Sequence, residues 1–434
     1  MDRRVVVTGL GVLAPNGHGL EEFERALREG CSGIRFYEKL RELKFGCQVG
    51  GAPQGVEEIK ERYFSEEQRF SMKSTVISFG AIAAVDCWRD AGFELPSDAS
   101  GEPDFDTGAI VGTGVAGIDL MCGYAGPTID AGRARRMGST IVEQVMCSGV
   151  SARIGGLLGL GGQVSTNSSA CTTGTEAIVE AYWHIRAGRA KRMLAGGVEG
   201  ESHYTWGSFD AMRVLATGKN DEPEKASRPM SASASGFVPG SGAGMLMLED
   251  LESALARGAR IYAEIRGAEV NSGGQRQGGS MTAPNPFGVQ RCIRAALDSA
   301  EIRGEEVDAI NGHLTATMAD PREVASWQAA LEVAPERLPP INSTKSMIGH
   351  TLGAAGGIEC VASVLELDRG FVHGSLNCED LHPELEPYAA SIPHQTMELQ
   401  PRILAKASFG FGDVNACVIF GKWDSRNDNR ERSS

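Results

Sequence analysis

Two stretches of this chain share one layout. Residues 167–188 read NSSACTTGTEAIVEAYWHIRAG and residues 342–370 read NSTKSMIGHTLGAAGGIECVASVLELDRG. Each runs from a polar strand end through a special residue and a glycine into an apolar helix. A second echo links GFVPGSGAGMLMLE at 236–249 with SFGFGDVNACVIFG at 408–421. Paired in this order, the echoes restrict the chain to an internally duplicated protein, with similar halves at 1–255 and 256–422 joined near 250–260. Between the echoes, glycine-punctuated strands such as RRVVVTGLG and TGAIVGTGVAG alternate with helical stretches such as LEEFERALREG, the pattern of a layered α/β protein. The 56 glycines suit the many tight strand-to-helix turns such a fold needs. The final WDSRNDNRERSS, residues 423–434, is charged and reads as a disordered tail.

Charge and apolar patterning exclude several function classes. A formal net charge of -14 argues against a nucleic-acid partner, because phosphate-backbone binders need a basic face. No stretch approaches the ~20 apolar residues of a membrane span, and the N-terminus lacks a signal-type apolar segment. Ten cysteines scattered without CxxC pairs suggest reduced thiols and a cytoplasmic protein rather than a disulfide frame or a zinc site.

Cys171 falls at the strand-to-helix turn of the first echo. There the unpaired N–H groups and positive dipole end of the helix favour a thiolate. A cysteine so placed is either a nucleophile or a small buried filler. His313, in INGHLTATMAD, and His350, in STKSMIGHTLGAAGG, sit among glycines and small residues, where either alone would suit a satisfied structural histidine. Beside a helix-start cysteine, the two together point to covalent acyl transfer, in which a thiolate attacks a thioester and histidines handle protons or developing charge.

The motifs SSACTTG, NGHLTAT, NSTKSMIGHTLGAAGG and SFGFGDVN, in this order, resemble the elongating β-ketoacyl-[acyl-carrier-protein] synthases of the thiolase superfamily. The resemblance runs from RRVVVTGLG to NACVIFG, nearly the whole chain. It implies a thiolase fold, two βαβαβαββ halves in a five-layer α-β-α-β-α sandwich, normally as a homodimer, with a heterodimer as the alternative. It implies Cys171 as the nucleophile, His313 and His350 as the pair that stabilises the enolate of a decarboxylated malonyl thioester, Lys345 as the lysine orienting them and Glu323 as its acidic partner. The N–H groups of Cys171 and Phe411 match the oxyanion hole, Phe411 the aromatic gate, and Phe409 and Val115 the acyl pocket. The substrates implied are acyl chains and malonyl groups on the phosphopantetheine of acyl carrier protein, with no metal or organic cofactor. A second histidine, rather than asparagine, at His350 points to malonyl-carrier-protein as extender.

The chain also departs from its relatives. HLTATMADPRE replaces the usual HGTSTPxGD run with a segment one residue shorter, which bears on where Glu323 falls. RPMSASASGFVPGSGAG lacks an acidic and basic cluster and carries Ser241 at a usually acidic position, and the glycine-rich loop has Asp413 and Val414 where glycine and threonine are common. Where relatives place a basic carrier-docking helix, this chain offers Glu66 and Glu67 with only Arg69 and Lys73, although Arg213 matches a docking arginine. Arg133, Arg135 and Arg136 form a further basic cluster that reads equally as a solvated face. These differences mark a divergent branch. The alternatives they raise are a specialised polyketide or polyene ketosynthase working with a heterologous partner subunit, and a non-catalytic scaffold of the chain-length type.

Overall fold

The computed structural model describes residues 3–97 and 100–424. Its central sheet is built twice from the same plan. The first half supplies β1 (Val5–Ala14), β2 (Thr107–Thr113), β3 (Val164–Ser165), β4 (Arg192–Glu199) and β5 (Gly242–Asp250), in spatial order β1-β5-β4-β2-β3. The second supplies β6 (Ala263–Ser272), β7 (Ala309–Asn311), β8 (Ile341–Asn342), β9 (Ile403–Gly410) and β10 (Val414–Lys422), in order β6-β10-β9-β7-β8. Pairing directions agree strand for strand: β4 with β5 and β9 with β10 are antiparallel, whereas β2 with β4 and β7 with β9 are parallel. The halves join where β1 pairs antiparallel with β6, Val5 opposite Ile265, which makes one 11-stranded sheet with the short strand Gly17–His18.

Among the helices of each half, three lie against this sheet in corresponding places: α1 (Thr75–Asp90), α2 (Gly149–Leu158) and α3 (Thr173–Arg186), then α4 (Pro286–Ala300), α5 (Asp320–Leu331) and α6 (Ala355–Arg369). Both halves therefore read βαβαβαββ, and their packing gives the five layers of the thiolase fold. One outer core lies between α1, α2 and the first half's strands, through residues such as Phe79, Val85, Ile154 and Met245. Another lies between α4, α5 and the second half's strands, through Ile293, Trp327, Ala405 and Ile419. The middle core holds α3 and α6 between both sets of strands, with Ile178, Tyr182, Ile358 and Leu365 packed against Val7, Leu246, Val418 and Phe420.

Sequence accounts for this division. Helix α4 starts at Asn285, whose side chain accepts from the N–H of Phe287, with Pro286 in the first turn, and it buries one stripe, including Val289, Ile293 and Leu297. By contrast, α6 is buried from Ala355 to Leu367, as expected of a helix with sheet on both sides. Burying each large aliphatic or aromatic side chain stabilises the fold by ~1.5–3 kcal/mol. Where α3 meets α6, glycine permits backbone contact: a Cβ on Gly174 would stand 2.5 Å from the nitrogen of Gly357, and one on Gly356 2.2 Å from Thr175 Oγ1.

The ordered chain extends past the expected start of the tail. Trp423 packs on the small cluster of Val6, Leu251 and Ala254, and the Arg4 guanidinium lies 5.7 Å from its ring centroid. The rest of the expected tail, 425–434, lies outside the described residues.

Candidate active site

The same junction occurs at the end of β3 and beyond β8. A left-handed residue, Ala170 (φ 50) or Leu352 (φ 52), leads into a single 3-10 turn, Ala170–Thr172 or Leu352–Ala354, and α3 or α6 follows at once. Cys171 occupies the first turn and is 9% exposed. His350 precedes the second turn and is 2% exposed. The middle-layer contact of α3 with α6 brings these two turns face to face.

His350 Nε2 lies 3.1 Å from Cys171 Sγ, and its Nδ1 accepts the N–H of Leu352 at 3.2 Å. That second bond places the ring proton on Nε2, so His350 presents a donor to the sulfur and to any oxygen beside it. His313 follows β7, its ring centroid 5.4 Å from that of His350. Ligand-capable atoms of Cys171, His313 and His350 all lie within 4.8 Å of one another. This is the group among the described residues whose donors could also hold a metal ion, and one thiolate with two imidazoles suits a soft divalent cation.

Lys345 Nζ donates to the carbonyl of His313 at 2.7 Å and lies 3.5 Å from its Nδ1. Its carboxylate partner, however, is Glu359, not Glu323. Both oxygens of Glu323 accept backbone N–H groups, from His313 at 2.6 Å and Leu314 at 2.8 Å, so Glu323 braces the loop that carries His313. Asp320 does the same for Thr315, Ala316 and Met230, and these bonds hold the altered HLTATMADPRE segment despite left-handed backbone at Leu314 and Ala316.

Burial dominates the electrostatics. It pushes the Cys171 thiol up to about 11, against the pull of Lys345 and of the N–H of Phe411. The helix start therefore does not by itself make a free thiolate here, because loss of water outweighs it. Burial, then Lys345, holds both histidines well below the usual imidazole range, so each is a neutral donor near pH 7.

Phe411 N–H meets the Cys171 sulfur. The half-buried Phe411 ring begins an aromatic chain, 6.2 Å to Phe209, then 5.3 Å to Phe237, then 5.1 Å to His350. Phe409 is buried, its ring centroid 6.2 Å from that of His313. Val115 lies just past β2, 40% exposed as a residue, with its N–H given to Glu199. Asp413, at φ 63, accepts from the N–H groups of Gln275 and Asn285, tying the Phe411 loop to the 273–285 segment. Ser241 is fully buried with its hydroxyl unpartnered.

The expected carrier-facing residues are more scattered. Arg213 is exposed in a left-handed turn just past the helix His203–Ala211, at φ 59. Arg69 pairs with Glu61 at 3.3 Å, and Lys73 stands 4.5 Å from the Phe70 ring centroid. Glu66 and Glu67 form the first turn of a short helix, where the positive dipole end favours them. Arg133, Arg135 and Arg136 are exposed on or beside one 3-10 turn.

Three charged residues of the site escaped the sequence reading. Glu199 ends β4 and accepts from Gly114, Val115 and Gly353. Glu359 lies on α6 and Lys406 on β9, their charged atoms 2.8 Å apart. The available signal was a lone charge inside an apolar run, in GGIECVASVL and ILAKASFG, since unpaired charges are seldom buried.

Residues 2–254 match the family Beta-ketoacyl synthase, N-terminal domain, and residues 262–379 match Beta-ketoacyl synthase, C-terminal domain. The 3-oxoacyl-[acyl-carrier-protein] synthase 2 of Vibrio harveyi is 34% identical over 424 residues, 97% of this chain and 99% of that protein. Among solved structures, one described as a type II PKS acyl-carrier protein in complex with its ketosynthase bound to the hexaketide superposes with TM-score 0.86 at 30% identity, covering 98% of this chain and 100% of that one. The ishigamide ketosynthase/chain length factor gives TM-score 0.86 at 28% identity over 98% of this chain and 100% of its own. Matched through both domains and nearly end to end, the chain belongs to the β-ketoacyl synthase family.

Proposed function

We propose that this chain is an elongating β-ketoacyl-[acyl-carrier-protein] synthase whose reaction runs on Cys171, His313 and His350. The observation that carries this reading is the convergence of one buried sulfur and two neutral imidazoles within 4.8 Å. In the first half-reaction the sulfur of Cys171 attacks the carbonyl of an acyl thioester. The N–H groups of Cys171 and Phe411 hold the tetrahedral oxyanion, the C–S bond to the carrier breaks, and the carrier leaves as a thiol with the proton that Cys171 gives up. In the second, the malonyl thioester loses CO2 and the electron pair of the broken C–C bond forms an enolate. Donation from His313 and His350 to its oxygen lowers the barrier by several kcal/mol in a dry pocket. The enolate carbon then attacks the acyl-Cys171 carbonyl, a C–C bond forms, the C–S bond to Cys171 breaks, and the released thiolate takes a proton from solvent. These steps balance without a metal or organic cofactor, the substrates riding on the phosphopantetheine of acyl carrier protein.

A second copy or a related subunit completes the assembly in this reading. Support comes from β3, which ends the sheet as an unpaired edge, and from exposed Met121, Tyr124, Ile129 and Val142 on the 115–146 segment. The similarity to a ketosynthase/chain length factor favours a heterologous partner as the alternative to a homodimer. Against a purely non-catalytic scaffold stands Cys171 itself, seated between donors. The test is mass spectrometry of Cys171 after incubation with acyl-carrier, with CO2 release measured from malonyl-carrier. An acyl adduct on Cys171 and release of CO2 are expected; a chain that forms no adduct and releases no CO2 overturns the reading.

A further inference from the structure

Behind the two histidines lies a buried cluster of three charges that the half-reactions above do not use in full. Glu359 is 0% exposed, and its two oxygens face two ammonium groups, those of Lys345 (1%) and Lys406 (0%). Lys406 directs its hydrogens to the carbonyl of Ala407 and to Ser408 Oγ at 3.0 Å. It meets Glu359 Oε2 at 2.8 Å as an ion pair without an aligned hydrogen bond. Ser408 is held in turn by Thr175 Oγ1 at 2.8 Å, on the helix that follows Cys171. One carboxylate between two ammonium groups leaves an uncompensated positive charge, and burial leaves it poorly screened. Lys345 and Glu359 alone would form a neutral pair with little field at the imidazoles.

We infer that Lys406 is a positioning residue whose charge cancels that of Glu359, so that the charge of Lys345 acts uncompensated on His313, His350 and the enolate oxygen. This rests on the reaction proposed above and deepens it. The consequence is twofold. Positive charge disfavours imidazolium, keeping both histidines as neutral Nε2–H donors, and it stabilises negative charge formed on the thioester oxygen. Both effects of Lys406 on the histidines act in the same direction as those of Lys345. The other ionisable groups around the cluster, among the described residues, are Cys171, Cys360, Cys417, His373, Glu323 with Asp320 behind it, and Glu199; burial holds His373 down at about 4, so none of these supplies a second cation near pH 7.

The test counts charge. Lys406→Gln keeps donors for Ala407 and Ser408 but brings the cluster to neutrality, whereas Lys406→Gln combined with Glu359→Gln restores a single positive charge. Histidine-labelled protein reports the ring titrations of His313 and His350 by NMR, independently of any reaction. Malonyl-carrier decarboxylation is followed in parallel across pH. The single variant is expected to move both titrations, and the acid limb of the rate profile, up by about half a unit or more, with decarboxylation down about tenfold. The double variant should return all three toward wild type. Unmoved titrations in the single variant, or a double variant as displaced as the single, overturn the inference. If the single variant does not fold, the double is compared directly with wild type, and a displaced titration overturns it. Wild-type protein that releases no CO2 while its histidines still respond to Lys406 removes the proposed reaction and leaves the charge assignment standing.

Discussion

The Cys171 turn and the Leu352–Ala354 turn are the same piece of architecture put to opposite uses. Each is a 3-10 turn entered through a left-handed residue, and each faces the end of an eight-residue strand, β9 for Cys171 and β4 for Gly353. At the second turn the strand ends in Glu199, whose carboxylate takes the N–H of Gly353 at 2.9 Å together with those of Gly114 and Val115. At the first turn the strand ends in Gly410. A Cβ there would stand 3.1 Å from the Cys171 nitrogen. Convergent N–H groups attract negative charge in both halves. One half fills the place with its own carboxylate and gains structure, while the other leaves it clear, which in the proposed reaction is where the oxyanion forms.

That contrast is broken hardest at Cys171. Cys171→Ser should lower condensation by at least ~10³-fold, because a serine hydroxyl is a far weaker acid and nucleophile than a thiol, even one that burial has raised to about 11. Circular dichroism should be unchanged, since the swap barely alters volume. Near wild-type condensation by this variant would take the first turn out of the chemistry.

His350→Ala tests the histidine from the second turn. Decarboxylation of malonyl-carrier should fall by ~10²–10³-fold, with acylation of Cys171 much less affected, as for loss of an oxyanion donor. Acyl-enzyme mass and CO2 release separate the two. The assignment fails if acylation is the step that disappears.

Glu199→Gln sharpens the structural half. Burial raises the Glu199 carboxyl from 4.5 to about 7, so the folded protein holds its proton more tightly than the unfolded chain. The sign follows: wild-type stability is fully retained below the unfolded value and is lost as pH rises from there to about 7. Relative to Glu199→Gln, wild type should lose on the order of 3 kcal/mol between pH 4 and 8 in urea unfolding. A pH-independent difference would show that the carboxylate is charged throughout.

Gly410→Ala is the mildest change. Its added methyl crowds the Cys171 N–H without removing any donor, so acylation should slow about tenfold. Unfolding midpoints should move little. An unchanged acylation rate would mean that this N–H is not where the oxyanion sits.

Much of this site was legible before any coordinates. The duplicated layout, Cys171 and the two histidines all lie in short motifs whose local residues carry the signal: small polar residues before a turn, a glycine, then an apolar helix. Partners were the harder part. Glu323 was expected beside Lys345, but it lies in the first turn of α5, where its carboxylate reaches the backbone of His313 first. Glu359 and Lys406 are 47 residues apart in sequence (406 − 359) and meet only through the packing of α6 on β9. No local pattern encodes that meeting. The thiol behaved likewise: its position at a helix start was readable, whereas the burial that raises its pKa is set by the whole middle layer.

The glycine contact between α3 and α6 makes the spacing of nucleophile and histidine a property of main chain thickness. Gly174 lies against Gly357, and a methyl group at the first would come within 2.5 Å of the second's nitrogen. No rotamer sits in that gap to lengthen or shorten it. A change of side chain in an outer core can be absorbed by its neighbours' rotamers, whereas any side chain added at Gly174 must push main chain against main chain and alter the interval between Cys171 and His350. The middle layer thus sets that interval by backbone alone, as a spacer rather than a packing.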